Sequence, residues 1–470
     1  MKNTLYKYSF AFVISVFGTS SFAVEEGNSI GWYRTDDPMK VIEVAGQFGD
    51  CHQYDSSKSL TLLMAADIAL CNNPKTQEVY ANAKAQAAQI GIAKSEFFPT
   101  VINSSGINTN LNDPSSTSRG ASFQNWNNQL SINYLLYDFG NRAANLENAK
   151  LLLLAVSRTQ DSTVQSVLLA TIKAYFQTLA DIASLEANKK AEEFYYESFK
   201  AAEAKYKAGV STPADKLQAQ TAFAQAKLNT ISAEGALQNS YGVLANVMGL
   251  NADANIKIAN ATEEIADANI SSGVASLIEA AQYRRPDLLA SEAQMAAAKQ
   301  VILAREAASK PTVSLGFSNT WQGGSRLDGS NATSLGITVS IPIFQGFLPT
   351  YQVEYARALY AGQQAKLMQL RQQVSLEVWT AFYNLKTANE SVLAVEVLLV
   401  SAKESSSLAL GRYKAGVGNI IDALNAQNAL ASAEQQYIKV KTQRNIARAT
   451  LAQAIGILDY AMVAIPKGND

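Results

Sequence analysis

Histidine is nearly absent from these 470 residues, with His52 alone, and cysteine is scarce, with Cys51 and Cys71. One histidine excludes a multi-histidine metal centre, and no other group of side chains forms a catalytic constellation. No catalytic residue, metal site or cofactor is expected. A phosphate-cradling loop of the GxxxxGK[ST] type is also missing, so any energy-coupled process would draw on a partner. Charge of one sign is lacking: 39 basic residues face 40 acidic ones. Nucleic acid, which selects for a basic excess, is therefore not an expected partner. Beyond the first two dozen residues no apolar run approaches the roughly 18 that a spanning helix needs. If the chain crosses a membrane, it does so with strands. Proline is sparse, at 10 residues, and none occurs between Asn141 and Tyr206 or between Tyr351 and Tyr413.

What is present begins with a secretory leader over 1–23. Lys2 and Lys7 give its positive end, Phe10 to Phe17 its apolar stretch, and Ser21 and Ala23 the small residues before a cleavage site near Val24. Two cysteines in an exported chain favour a disulfide, and a Cys51–Cys71 bridge would pin an irregular segment, 24–58, to the first helix. Such a loop is worth roughly 3 kcal/mol in the chain-entropy account.

The chain repeats itself. Tyr206, Lys207, Ala208, Gly209 and Val210 return as Tyr413, Lys414, Ala415, Gly416 and Val417, a step of 207 residues. Upstream, Pro74 and Pro99 bracket a helical run, as Pro286 and Pro311 do in the second half. Proline suits a helix's first turn and stops a helix that precedes it. The expected division is repeat 1 over 59–250, a linker over 251–273, repeat 2 over 274–457 and a tail over 458–470. Each repeat reads helix, two strands, long helix, tip, return helix.

The strands, about 100–136 and 311–345, alternate. Trp126, Leu130, Ile132 and Tyr134 oppose Asn127, Gln129, Ser131 and Asn133; Leu335, Ile337, Val339, Ile341 and Ile343 oppose Ser334, Gly336, Thr338 and Ser340. Period-two segments of about 10 residues match membrane strands. Aromatics gather at both ends, with Trp126 and Trp321 by the loops and Tyr134, Tyr137, Phe139, Phe344 and Phe347 by the helices. The long helices hold coiled-coil stripes, Leu168, Ile172, Tyr175, Leu179 and Ile182 in one and Val378, Leu385, Val392 and Leu399 in the other. Past each tip come a capping residue and an acid, Thr212 with Asp215 and Asn419 with Asp422. Two like tips at one end of a rod point to a shared docking function.

Four strands cannot close a barrel, and an open edge in lipid leaves amides unpaired. Several chains therefore share one: two chains give eight strands and a filled interior, three give twelve and room for a lumen. The expected fold is mainly helical with membrane strands, a barrel continued by a helical coiled-coil cylinder. The alternative, a trimeric adhesin-like surface protein with a coiled-coil stalk, would carry one barrel segment at one chain end, not two strand pairs between helices.

Tyr283 to Leu288, Ala304 to Leu315, Tyr137 to Arg142 and the two tips, in this order and duplicated, resemble the TolC family of outer-membrane efflux proteins over about Leu60 to Gly456. The resemblance implies a homotrimer with a twelve-stranded barrel in outer-membrane lipid and a periplasmic duct. It implies a role as the exit duct of a tripartite pump or type I secretion system, with a periplasmic adaptor lodged near Gly209 and Gly416 and an inner-membrane transporter as partners. It also implies a periplasmic gate. Asp422 matches the first acid of the family's ring and Asn425 replaces the second; Tyr413 and Asp215 match latch positions, and Gly418 replaces a basic latch residue.

Overall fold

A computed structural model describes residues 59–110, 123–259, 273–325 and 328–460. The expected leader, the irregular segment, Cys51, His52 and most of the linker and tail lie outside these residues. The elements, in order, are α1 (Leu62–Asn72), α2 (Pro74–Ser95), β1 (Thr100–Asn110), β2 (Phe123–Tyr137), α3 (Asn141–Lys207) and α4 (Pro213–Val247), then α5 (Val274–Arg284), α6 (Pro286–Ala308), β3 (Thr312–Gly324), β4 (Ser330–Ser340), α7 (Leu348–Lys414) and α8 (Ile420–Ile455). Elements through the first strand of each half recur at a step of 212 and those from the second strand on at 207, so the second half is shorter by five residues between the starts of its two strands. Cys71 sits in the last turn of α1.

Local chemistry sets the boundaries. Pro74 and Pro286 occupy first-turn positions, and the Asn73 carboxamide caps α2 by accepting from the Lys75 amide at 2.9 Å. The strand pattern was expected to run through Ile341 and Ile343, but β4 ends at Ser340. Pro342 has no amide for the ladder, so pairing stops before it.

The four strands form one antiparallel sheet in the order β1-β2-β3-β4. Its register stacks like with like. Val101, Ile132, Phe317 and Leu335 form one row across all four strands, and Tyr134, Leu315 and Ile337 the next. The other face carries Ser104, Gln129 and Thr320, then Asn133, Gly316 and Gly336. Among the described residues both outer strands, β1 and β4, lack a partner on their free edge. Leu335, Ile337 and Val339 are well exposed, as are Ile102 and Ile107.

The long helices α3 and α7 have 67 residues each, about 100 Å at ~1.5 Å per residue. α3 packs on α2, α4, α6 and α8, and α7 on α5, α6 and α8. One core joins Leu60, α1 and the α3 stripe residues Leu168, Ile172 and Tyr175 to Leu244 of α4 and to Met248 just after it. A second joins Val374, Val378 and Leu385 of α7 to Leu288, Leu451 and Ile455. The expected stripes therefore mark the buried seams. Tyr351, Tyr355, Trp379, Leu393 and Val397 of α7 remain exposed. No helix among the described residues is long and apolar enough to cross a membrane.

At the corner from β2 into α3 two consecutive residues are left-handed, Phe139 at φ +52° and Gly140 at φ +92°. The matching corner into α7 uses Gly346 at +60° and Phe347 at +62°, so glycine and phenylalanine trade places. The first corner is also pinned by charge. Asp138 accepts from the Gly140 amide, the Arg142 amide and Arg142 Nε at 3.2, 2.9 and 3.0 Å. Arg142 donates on to the Glu96 carbonyl at 3.1 Å and lies over the Phe97 ring. Both partners are over nine-tenths buried.

Candidate functional site

The tips lie where each long helix turns into its return helix, at the end away from the strands. At both, a lone glycine ends the long helix in the left-handed region, Gly209 at φ +73° and Gly416 at φ +78°. The closing bonds match as well. The Val210 amide donates to the Lys205 carbonyl at 3.0 Å and the Gly209 amide to Tyr206 at 3.0 Å; the Val417 amide donates to Arg412 at 3.1 Å and the Gly416 amide to Tyr413 at 3.2 Å. This double bond satisfies carbonyls that the helix end would leave orphaned. A side chain added at either glycine would meet no atom within 4 Å. The tips thus present open surface, and every residue of both pentapeptides is exposed except Tyr413.

Tyr206 is 41 % exposed and Tyr413 only 8 %. Tyr413 is buried against Ala202 of α3, Ala219 of α4, and Ile420 and Ala423 of α8, so the second tip lies on the first through this ring. Lys205 reinforces the contact: its Nζ stands 3.9 Å from the ring centroid and donates to the Tyr413 carbonyl at 3.4 Å. Burial, and then the negative charge of Asp215, hold the Tyr413 hydroxyl above its ordinary pKa, so it stays neutral. Tyr206 instead has Lys216 over its ring at 5.7 Å, and Lys216 and Lys207 pair with Glu203 at 3.4 and 3.5 Å.

The two acids beyond the tips also part ways. Thr212 Oγ1 accepts from the Asp215 amide at 3.3 Å while the Asp215 carboxylate accepts from the Thr212 amide at 3.0 Å, a complete capping box. At the second tip the Asn419 side chain accepts from the Asp422 amide at 2.7 Å, and no bond returns to the cap. The Asp422 carboxylate makes no hydrogen bond or ion pair within the described residues, and it and Asn425 are exposed. Of the four residues expected at a gate, Tyr413 and Asp215 come together electrostatically, while Asp422 and Asn425 share open surface on the first turns of α8. Gly418 is packed on the backbone of Arg412, its amide donating to the Arg412 carbonyl at 3.1 Å.

Lys205 was missed in the sequence. Its signal is faint but present, since a basic residue precedes both pentapeptides, Lys205 in one and Arg412 in the other.

A sequence model of the family described as outer membrane efflux protein matches residues 65–250 and 277–457, which is most of both halves. The chain belongs to this family. Protein CyaE of Bordetella pertussis is 30 % identical over 418 residues, covering 87 % of this chain and 86 % of that protein. The outer membrane protein TolC of Escherichia coli is 23 % identical, covering 86 % and 83 %. Among solved structures, a membrane protein from Pseudomonas aeruginosa superposes with a TM-score of 0.75 at 25 % identity, over 84 % of this chain and 93 % of that one. The CmeC outer membrane channel of Campylobacter jejuni gives 0.77 at 19 % identity, over 85 % and 86 %. The chain is an outer-membrane efflux protein of the TolC family, an exit duct built largely of helix with a strand sheet.

Proposed function

We propose that three copies of the chain close one twelve-stranded barrel and continue it as a helical duct across the periplasm. The observation that carries this is the sheet: one face with apolar rows at both ends, the other polar, and both edges unpaired among the described residues. Lipid does not tolerate such edges, so they are met by other copies. The exposed aromatic and aliphatic side chains of α7 then become contacts between copies.

The duct conducts passively and serves either a tripartite efflux pump or a type I secretion system, with a periplasmic adaptor and an inner-membrane transporter supplying the energy. Relatives include a toluene efflux pump outer membrane protein of Pseudomonas putida, 24 % identical. The exposed residues Tyr206 to Val210 and Lys414 to Val417 form the adaptor surface, six tips to a trimer. Asp422 and Asn425 line the periplasmic gate, and Tyr413 with Asp215 helps to hold it shut. A Cys51–Cys71 bridge ties the segment before α1 to that helix.

The test is the mass of the purified full-length protein in detergent, followed by crosslinking from the tips in intact cells. The reading expects three copies and a periplasmic adaptor attached through the tips. A monomer, or crosslinks confined to other outer-membrane proteins, would overturn it.

A further inference from the structure

The apolar face of the sheet is interrupted. Between the rows Val101–Ile132–Phe317–Leu335 and Ile107–Trp126 lie two others, Asn103–Leu130–Asn319–Thr333 and Ser105–Asn128–Trp321–Asn331. Six of those eight side chains are amides or hydroxyls. Five of the six are hydrogen-bonded in two groups: Asn128 Nδ2 donates to Ser105 Oγ at 2.6 Å, and Asn319 Nδ2 donates to Asn331 Oδ1 at 3.0 Å and Thr333 Oγ1 at 2.6 Å. Asn319 is only 8 % exposed, and its Oδ1 is buried with no hydrogen-bond partner among the described residues. Asn103, Ser105, Asn331 and Thr333 are exposed around it.

Polar groups turned toward hydrocarbon are costly unless hydrogen-bonded. This patch runs from the middle of β1 and β2 toward the loop ends of β3 and β4, apolar rows lie on both sides of it, and it carries no charge. A phosphate is thus not what it recognises. Spare acceptors on the exposed Asn103 and Asn331 amides, beside the buried Asn319, call for donors just below the headgroup. A glycerol-ester lipid offers only carbonyl acceptors at that depth. An acylated glucosamine lipid offers amide N–H and hydroxyl donors beside its carbonyls, where sugar meets acyl chain.

We propose that this patch binds the amide- and hydroxyl-bearing acyl-glucosamine region of the outer leaflet's lipopolysaccharide. The proposal rests on the barrel reading, with this face toward lipid.

The test uses the full-length protein in phosphatidylethanolamine–phosphatidylglycerol vesicles with lipid A added, then mass spectrometry of the lipid retained after detergent extraction. Wild type is expected to retain lipid A in preference to phosphatidylglycerol. The Asn103→Leu/Asn319→Leu/Asn331→Leu variant should retain about tenfold less, the size of losing one to two net hydrogen bonds. Asn103→Leu/Asn331→Leu, which spares the buried side chain, gives the same direction if the triple variant fails to fold. Equal retention by wild type and the double variant, or no preference between the two lipids, overturns the proposal. A parallel arm separates the barrel reading: brominated acyl chains should quench Trp126 and Trp321 in a Trp32→Phe/Trp379→Phe protein. Absent quenching would overturn both readings; quenching without lipid A preference would overturn the lipid assignment alone.

Discussion

At the membrane end of α3, Asp138 and Arg142 lock a strand-to-helix corner with a buried ion pair. At the same place on α7, 207 residues later, Gln345 and Pro349 stand instead, and the turn has no ion pair among the described residues, only the edge-to-face contact of Phe344 with Phe347 at 5.6 Å. The far ends differ in the same sense. The first tip spends its acid on its own cap, Asp215 on Thr212, and the second leaves Asp422 unengaged. The first half is locally self-satisfied at both ends of its long helix. The second leans on the first, through Tyr413, and keeps a carboxylate in reserve. Duplication supplied two equal frames, and the proposed gate rests on the difference in their side chains.

The corner gives the largest expected effect. Arg142→Ala leaves Asp138 buried without its cation, at about 3–5 kcal/mol, while Pro349→Ala stays within about 1 kcal/mol. Heat resistance of the assembled protein in outer-membrane fractions measures both; equal losses would break the asymmetry. The tips come next, where the halves should behave alike. Gly209→Glu or Gly416→Glu should abolish efflux with outer-membrane protein retained. Gly209→Asn and Gly416→Asn should keep efflux, because asparagine tolerates the left-handed conformation. Loss in the asparagine variants too would assign the effect to backbone, not docking. A smaller effect is expected from Lys205→Ala, which removes a cation–π contact worth roughly 0.5–2 kcal/mol. Channels in planar bilayers should open more often, Lys205→Arg should restore closure, and Arg412→Ala, the matching position, should change little. The smallest is Thr212→Ala, about 1 kcal/mol of local cap stability, read as faster hydrogen exchange in the first turn of α4 with conductance unchanged.

Much of this architecture was legible because its signals are local. Prolines at 74 and 286 start helices where expected, and the alternation of β3 and β4 gave their faces and, through them, the rows of the sheet. Pentapeptide glycines marked the helix ends to within two residues. The less legible parts are those set between distant segments. Nothing in the identical pentapeptides tells that one tyrosine is buried and the other exposed; that follows from α7 and α8 lying on α3 and α4. The break at Ser340 was readable from Pro342, yet the strong alternation through Ile343 outweighed it. The polar rows within the apolar face emerged only with the register, since Asn103, Asn319 and Asn331 fall on three strands.

The central claim is that the second tip forms the gate and the first one holds it. Single-channel recording of the full-length protein in planar bilayers tests this with Asp422→Ala and Asp215→Ala side by side. The account predicts that Asp422→Ala lowers cation selectivity and relieves block by divalent cations, because one exposed carboxylate per chain is removed from the pore mouth. Asp215→Ala should keep both properties and raise only the open probability. Unchanged conductance, selectivity and block in Asp422→Ala would contradict the account.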